Sequence, residues 1–118
     1  MICLRCLRRF GCLMTAVILS AGSDLGVGVA RAGPAAKTHT VVIEAMVFTP
    51  AAIEVNAGDT IVWKNKDPFP HTATAQDRSF NSGEIAPDRS WKFKAVRKGR
   101  FTYGCTLHTT MQGVLIVK

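Results

Sequence analysis

The stretch Phe101-Thr102-Tyr103-Gly104-Cys105-Thr106-Leu107-His108-Thr109-Thr110-Met111-Gln112-Gly113-Val114-Leu115-Ile116-Val117 sets three metal-donor side chains between two apolar runs. Phe101, Tyr103 and Cys105 share one parity of an alternating strand. If the aromatic rings enter a core, the thiol enters it at the strand's end. The run from Gly113 to Val117 reads as a second strand. Between them lies a tight loop carrying Cys105, His108 and Met111 at a Cys-x-x-His-x-x-Met spacing. A fourth donor, His71, follows Asp67-Pro68-Phe69-Pro70, where each proline fixes its own φ and restricts its predecessor, giving a rigid extended approach.

Taken singly, these residues have ordinary explanations: a small buried hydrophobe, a surface histidine, a packing methionine. Taken together they form one donor set. A thiolate and two imidazoles hold copper in a trigonal plane, and a thioether at longer range completes a coordination that suits Cu(I) and Cu(II) about equally. The sequence therefore predicts one electron-transfer copper ion on His71, Cys105, His108 and Met111, with the two ligand loops meeting at one end of the fold. His39 has no partner signal and reads as solvated, and Met46 reads as core.

Working outward, the chain shows short apolar segments separated by turn chemistry and no helix-period stretch of useful length. Strands are expected over residues 40–44, 53–55, 60–64, 90–94, the segment ending at Cys105, and 113–117. Asn56-Ala57-Gly58-Asp59 and Arg97-Lys98-Gly99 read as turns. Neither sheet could bury its apolar side alone, so the expectation is an all-β sandwich of seven or eight strands, its two antiparallel sheets packed face to face. Residues 75–89, with polar turns and Pro87, fit that pattern least well.

The amino-terminal region reads differently. Arg5, Arg8 and Arg9 precede an uncharged span from Phe10 to Ser23, and Ala30-Arg31-Ala32 offers a small-residue cleavage site, the pattern of a secretory signal peptide over residues 1–32. The apolar part is shorter than the roughly 20 residues that cross a bilayer, and Asp24 interrupts it. Arg8-Arg9-Phe10 also faintly resembles a twin-arginine export signal. Cys3, Cys6 and Cys12 fall in this segment, so residues 33–118 keep only Cys105 and cannot form an internal disulfide. Setting aside Arg5, Arg8, Arg9, Arg31 and Asp24 lowers the formal net charge from +7 to +4.

The chain resembles the small type 1 (blue) copper proteins of the plastocyanin, pseudoazurin and amicyanin group of cupredoxins. The resemblance runs from about Val41 to Lys118, through Phe48-Thr49-Pro50, Val55-Asn56-Ala57-Gly58-Asp59-Thr60, Val62-Trp63-Lys64-Asn65, Pro70-His71-Thr72, Tyr103-Gly104-Cys105-Thr106-Leu107-His108 and Met111-Gln112-Gly113. The two residues between His108 and Met111 make the ligand loop most similar to that of amicyanin. The resemblance implies an all-β, cupredoxin-like Greek-key β-sandwich in which His71, Cys105 and His108 are the strong ligands and Met111 the weak axial one. It also implies that His108 reaches the surface as the electron's exit. Leu107 and Thr109 stand where amicyanin-type loops usually have proline. Thr72 stands where asparagine often ties the two ligand loops together, a tie its hydroxyl can also make.

A metal whose four positions are all filled by protein offers no place to a substrate, and one copper stores one electron. The expectation is a one-electron carrier and not an enzyme, exported to the periplasm and monomeric. Redox partners would dock near His108 on Pro68, Phe69, Pro70 and Leu107, in weak, short-lived encounters. The competing reading is a copper storage or delivery protein. Delivery favours exchangeable sites, whereas a buried thiolate favours retention. Lys92, Lys94, Arg97, Lys98 and Arg100 cluster in sequence and could bind nucleic acid or an anionic membrane. Their turn begins the strand that ends at the metal, about 17 Å away at 3.3 Å per residue, so they belong to the opposite pole and read as a solvated face. Nucleic-acid binding and stable membrane insertion are therefore not expected, while Lys64 and Lys66 lie near the metal end and could steer an acidic partner.

Overall fold

The computed structural model describes Gly26, residues 28–30 and residues 33–118, so the expected leader lies almost wholly outside the described residues. Eight strands follow in chain order: β1 (Thr38–Glu44), β2 (Val47–Thr49), β3 (Ala52–Val55), β4 (Thr60–Asn65), β5 (Thr74–Ala75), β6 (Ser90–Lys94), β7 (Gly99–Gly104) and β8 (Gln112–Val117). Among the described residues no helix is long and apolar enough to cross a membrane.

The strands form two four-stranded sheets, in the orders β2-β1-β4-β6 and β3-β8-β7-β5. Both are mixed, which corrects the expectation of antiparallel sheets: β1 pairs parallel with β4 and β3 parallel with β8, and the other pairs are antiparallel. Side-chain alternation has the same period in both arrangements, so it carries no strand direction. The directions follow from the path of the chain. After the β1–β2 hairpin it crosses to the other sheet as β3, then returns as β4 alongside β1.

Alternation decides which residues the two sheets share. Val41, Ile43, Ile61, Trp63, Tyr103 and Leu115 are all fully buried between them. Tyr103 meets Phe48 edge-on at 4.8 Å between ring centroids and Trp63 at 5.5 Å, while Phe80 lies 5.5 Å from Trp63 and 4.9 Å from Phe93. Each such side chain contributes roughly 1.5–3 kcal/mol by leaving water. Burial in this cluster pushes the Tyr103 phenol up to about 12, with the Trp63 indole acting in the opposite sense. Gly113 is required here, because an added Cβ would overlap the Tyr103 ring at Cζ and Oη.

Residues 76–89 belong to none of the eight strands, in line with their turn chemistry, whereas His39 departs from the expectation. The segment after β5 is anchored by buried Phe80 and Ile85, and its backbone bridges to Thr74 at Asn81 and to His71 at Ile85. Met46 lies in the β1–β2 turn, partly buried and packed against the core cluster, and both Ala45 and Met46 have positive φ, 53° and 63°. His39 is paired: its Nε2 lies 2.9 Å from Asp59 Oδ2, and Asp59 also accepts hydrogen bonds from the Lys37 and Asn56 amides. Alternation along β1 turns His39 toward the buried carboxylate, a contact that local sequence does not announce.

Candidate metal centre

Two loops build the site at one end of the sandwich. The first runs from Asn65 to Thr72 and leaves β4. Asn65 is fully buried and braces the loop from within: its Nδ2 donates to the Phe69 and Ile85 carbonyls at 2.8 and 2.9 Å, and its Oδ1 accepts from the Asp67 amide at 2.9 Å. His71 then exchanges both backbone hydrogen bonds with Ile85, at 3.2 and 2.7 Å. Between Asn65 and His71 the chain bends over residues 67–69 rather than running extended as the two prolines suggested, and the bend returns the Asp67 carboxylate to His71. The imidazole of His71 is consequently fixed and wholly buried.

The second loop joins β7 to β8. Its ends close through Cys105 N–H to the Met111 carbonyl, 3.2 Å, and Met111 N–H to the His108 carbonyl, 3.0 Å. Gly104 permits this closure, because a Cβ there would stand 2.8 Å from the Met111 carbonyl oxygen. Cys105 continues the inward parity of Phe101 and Tyr103 and is buried, as is Met111, while His108 is half-buried at the rim. Cys105 is the free cysteine among the described residues.

The structure brings His71, Cys105 and His108 together, with one donor atom from each lying within 4.8 Å of the others. Cys105 Sγ is 3.7 Å from His71 Nδ1 and 3.6 Å from His108 Nδ1. A first-row ion bonded at about 2.3 Å to sulfur and about 2.0 Å to nitrogen, at angles between tetrahedral and trigonal, separates those atoms by roughly 3.5–3.7 Å. The spacing therefore fits a common ion. Thr72 joins the loops as anticipated: its hydroxyl accepts from the Thr106 amide at 2.9 Å and lies 3.2 Å from the Thr106 hydroxyl, while its own amide donates to Cys105 Sγ at 3.3 Å.

One partner was not anticipated. Asp67 is buried, and its Oδ2 lies 2.8 Å from His71 Nε2 while its two oxygens accept the Ala45 and Met46 amides at 2.7 and 3.1 Å. Burial alone would raise the Asp67 carboxyl, but the bonds from Met46, His71 and Ala45 outweigh it and hold the group below its ordinary value. The available signal was the Asp-x-x-x-His spacing, which gains meaning only once the Pro-Phe-Pro segment is known to fold the carboxylate back.

Comparison with known proteins agrees with this geometry. The profile of the cupredoxin-like domain matches residues 12–117. The chain belongs to the cupredoxin family. Amicyanin from Paracoccus versutus is 27% identical over 95 residues, covering 76% of this chain and 72% of that protein. Plastocyanin from Vicia faba is 32% identical over 76 residues, covering 53% of this chain and 77% of that one. Among solved structures, a copper-containing nitrite reductase from Thermus scotoductus superposes with a TM-score of 0.65 at 22% identity, over 80% of this chain and 25% of that one. A likeness at that identity speaks for the fold alone. Copper is the cofactor that a cupredoxin's thiolate, imidazole and thioether donors suit.

Proposed function

We propose that the protein is a one-electron carrier that cycles a single type 1 copper between Cu(I) and Cu(II), with His71, Cys105 and His108 as strong ligands and Met111 as the weak axial one. The observation that carries the proposal is the convergence of Cys105 Sγ with both imidazole Nδ1 atoms at 3.7 and 3.6 Å. When bound, copper supplies reversible one-electron chemistry. This chain's own residues supply a braced donor set in which His71, Cys105 and Met111 are buried. Fixed donors leave little to rearrange when the charge changes, which keeps electron transfer fast. With every position taken by protein, no substrate has an open place, and the reading is a carrier rather than an enzyme, although the fold is shared with a nitrite reductase.

His108, half-buried at the rim, is the proposed exit. Around it Phe69 and Leu107 are 40% and 46% exposed, and Pro68 is exposed beside them. With Pro70 they form a small apolar docking patch for redox partners, and a patch of that size suits brief encounters. Lys64 and Lys66, both exposed, would favour an acidic partner. The reading further holds that residues 1–32 are a signal peptide, that residues 33–118 are the mature domain, and that this domain works as a periplasmic monomer.

Copper titration with voltammetry tests the carrier reading. The expected result is one copper per chain, an intense thiolate-to-copper visible band that Cys105→Ser abolishes, and a reversible one-electron wave. Rapid loss of the metal to a mild chelator, without reversible cycling, would replace the carrier with a storage or delivery protein.

A further inference from the structure

We infer that Asp67 is a positioning residue of the metal centre: through one buried carboxylate it fixes the tautomer of His71, biases the site toward Cu(II), and ties the site to the β1–β2 turn. This rests on the copper reading above. An ionised carboxylate only accepts hydrogen bonds, so the 2.8 Å contact from Asp67 Oδ2 requires the proton of His71 to sit on Nε2. The Nδ1 lone pair is then free, and Nδ1 is the atom that faces Cys105 Sγ. Since His71 is fully buried, no solvent competes for either nitrogen. A carboxylate behind a ligating imidazole also adds a negative charge that favours the more oxidised ion.

The carboxylate is itself held from the far side. Ala45 and Met46 form a two-residue hairpin turn in which both have positive φ, a conformation that non-glycine residues adopt only at a cost. The amides of both residues point at Asp67, at 2.7 and 3.1 Å. One side chain therefore offsets the strain of the turn and orients the ligand. Turn and ligand act as one rigid unit.

Two readouts decide the matter. Nitrogen-15 NMR of the metal-free protein should show His71 with a slowly exchanging Nε2 proton; an Nδ1–H tautomer overturns the inference. In copper-loaded protein, Asp67→Asn, a neutral side chain able to donate as well as accept, should raise the reduction potential and change the thiolate absorption. A potential equal to that of the wild type overturns it. To separate site effects from loss of the turn, the same substitution is made with Ala45→Asn and Met46→Gly, a pair that takes positive φ without outside help; the rise in potential should persist there, and its disappearance would reduce Asp67 to a turn brace. Should the wild type take up no copper, the copper reading fails while the NMR result still judges the tautomer.

Discussion

Met111 and Asp67 differ in how far each could be read ahead of the structure. The donor types of the ligand loop are scarce and lie within seven residues of one another, so Cys105, His108 and Met111 are legible as a set. Asp67 acts through a buried carboxylate whose other partners, Ala45 and Met46, lie more than 20 residues away, and no local pattern announces such a contact. The same is true of the pairing of His39 with Asp59. Met111 yields a prediction at this scale. A thioether at long range tunes a copper site more than it holds the ion, so Met111→Leu should still bind one copper yet shift the reduction potential measured by voltammetry. An unchanged potential would count against an axial role.

Among the elements, every strand of four residues or more was legible, β3 by its Ile53-Glu54-Val55 run, and the two shortest were not. Strands β1, β4, β6, β7 and β8 announce themselves by alternation, whereas β2 has three residues and β5 two, too few to show a period. The hairpin before β2 hides for a further reason: Ala45-Met46 lacks the Asn-Gly or Asp-Gly signature of a positive-φ turn, and the missing local preference is supplied by Asp67 from another loop. Strand β8 carries a prediction of its own. Since a Cβ on Gly113 would overlap the ring of Tyr103, Gly113→Ala must displace β8 from β7 or turn the ring, and should destabilise the fold by about 1–3 kcal/mol in chemical denaturation. A denaturation midpoint within error of the wild type would show that the ring yields freely.

For the whole molecule, an aspartate away from the metal contributes to behaviour in acid. Amide hydrogen bonds from Lys37, the pairing with His39 and the Asn56 amide hold the Asp59 carboxyl down at about 2, against about 4 in an unfolded chain. A depressed folded value means that the unfolded state binds the proton first, so this contribution to stability is complete above about pH 4 and is lost as the pH falls toward about 2. Asp59→Asn should therefore lower stability at neutral pH and flatten its decline across that window, and thermal melts at stepped pH check both. An equally steep decline in the variant would assign the acid sensitivity to other groups. Two mixed sheets thus hold a rigid frame whose ligand loops converge at one end. The most direct measurement of that convergence is a crystal structure of the copper-loaded protein. The account predicts one ion bonded to His71 Nδ1, Cys105 Sγ and His108 Nδ1 with Met111 Sδ at longer range, and copper lying elsewhere, or held without Cys105, would contradict it.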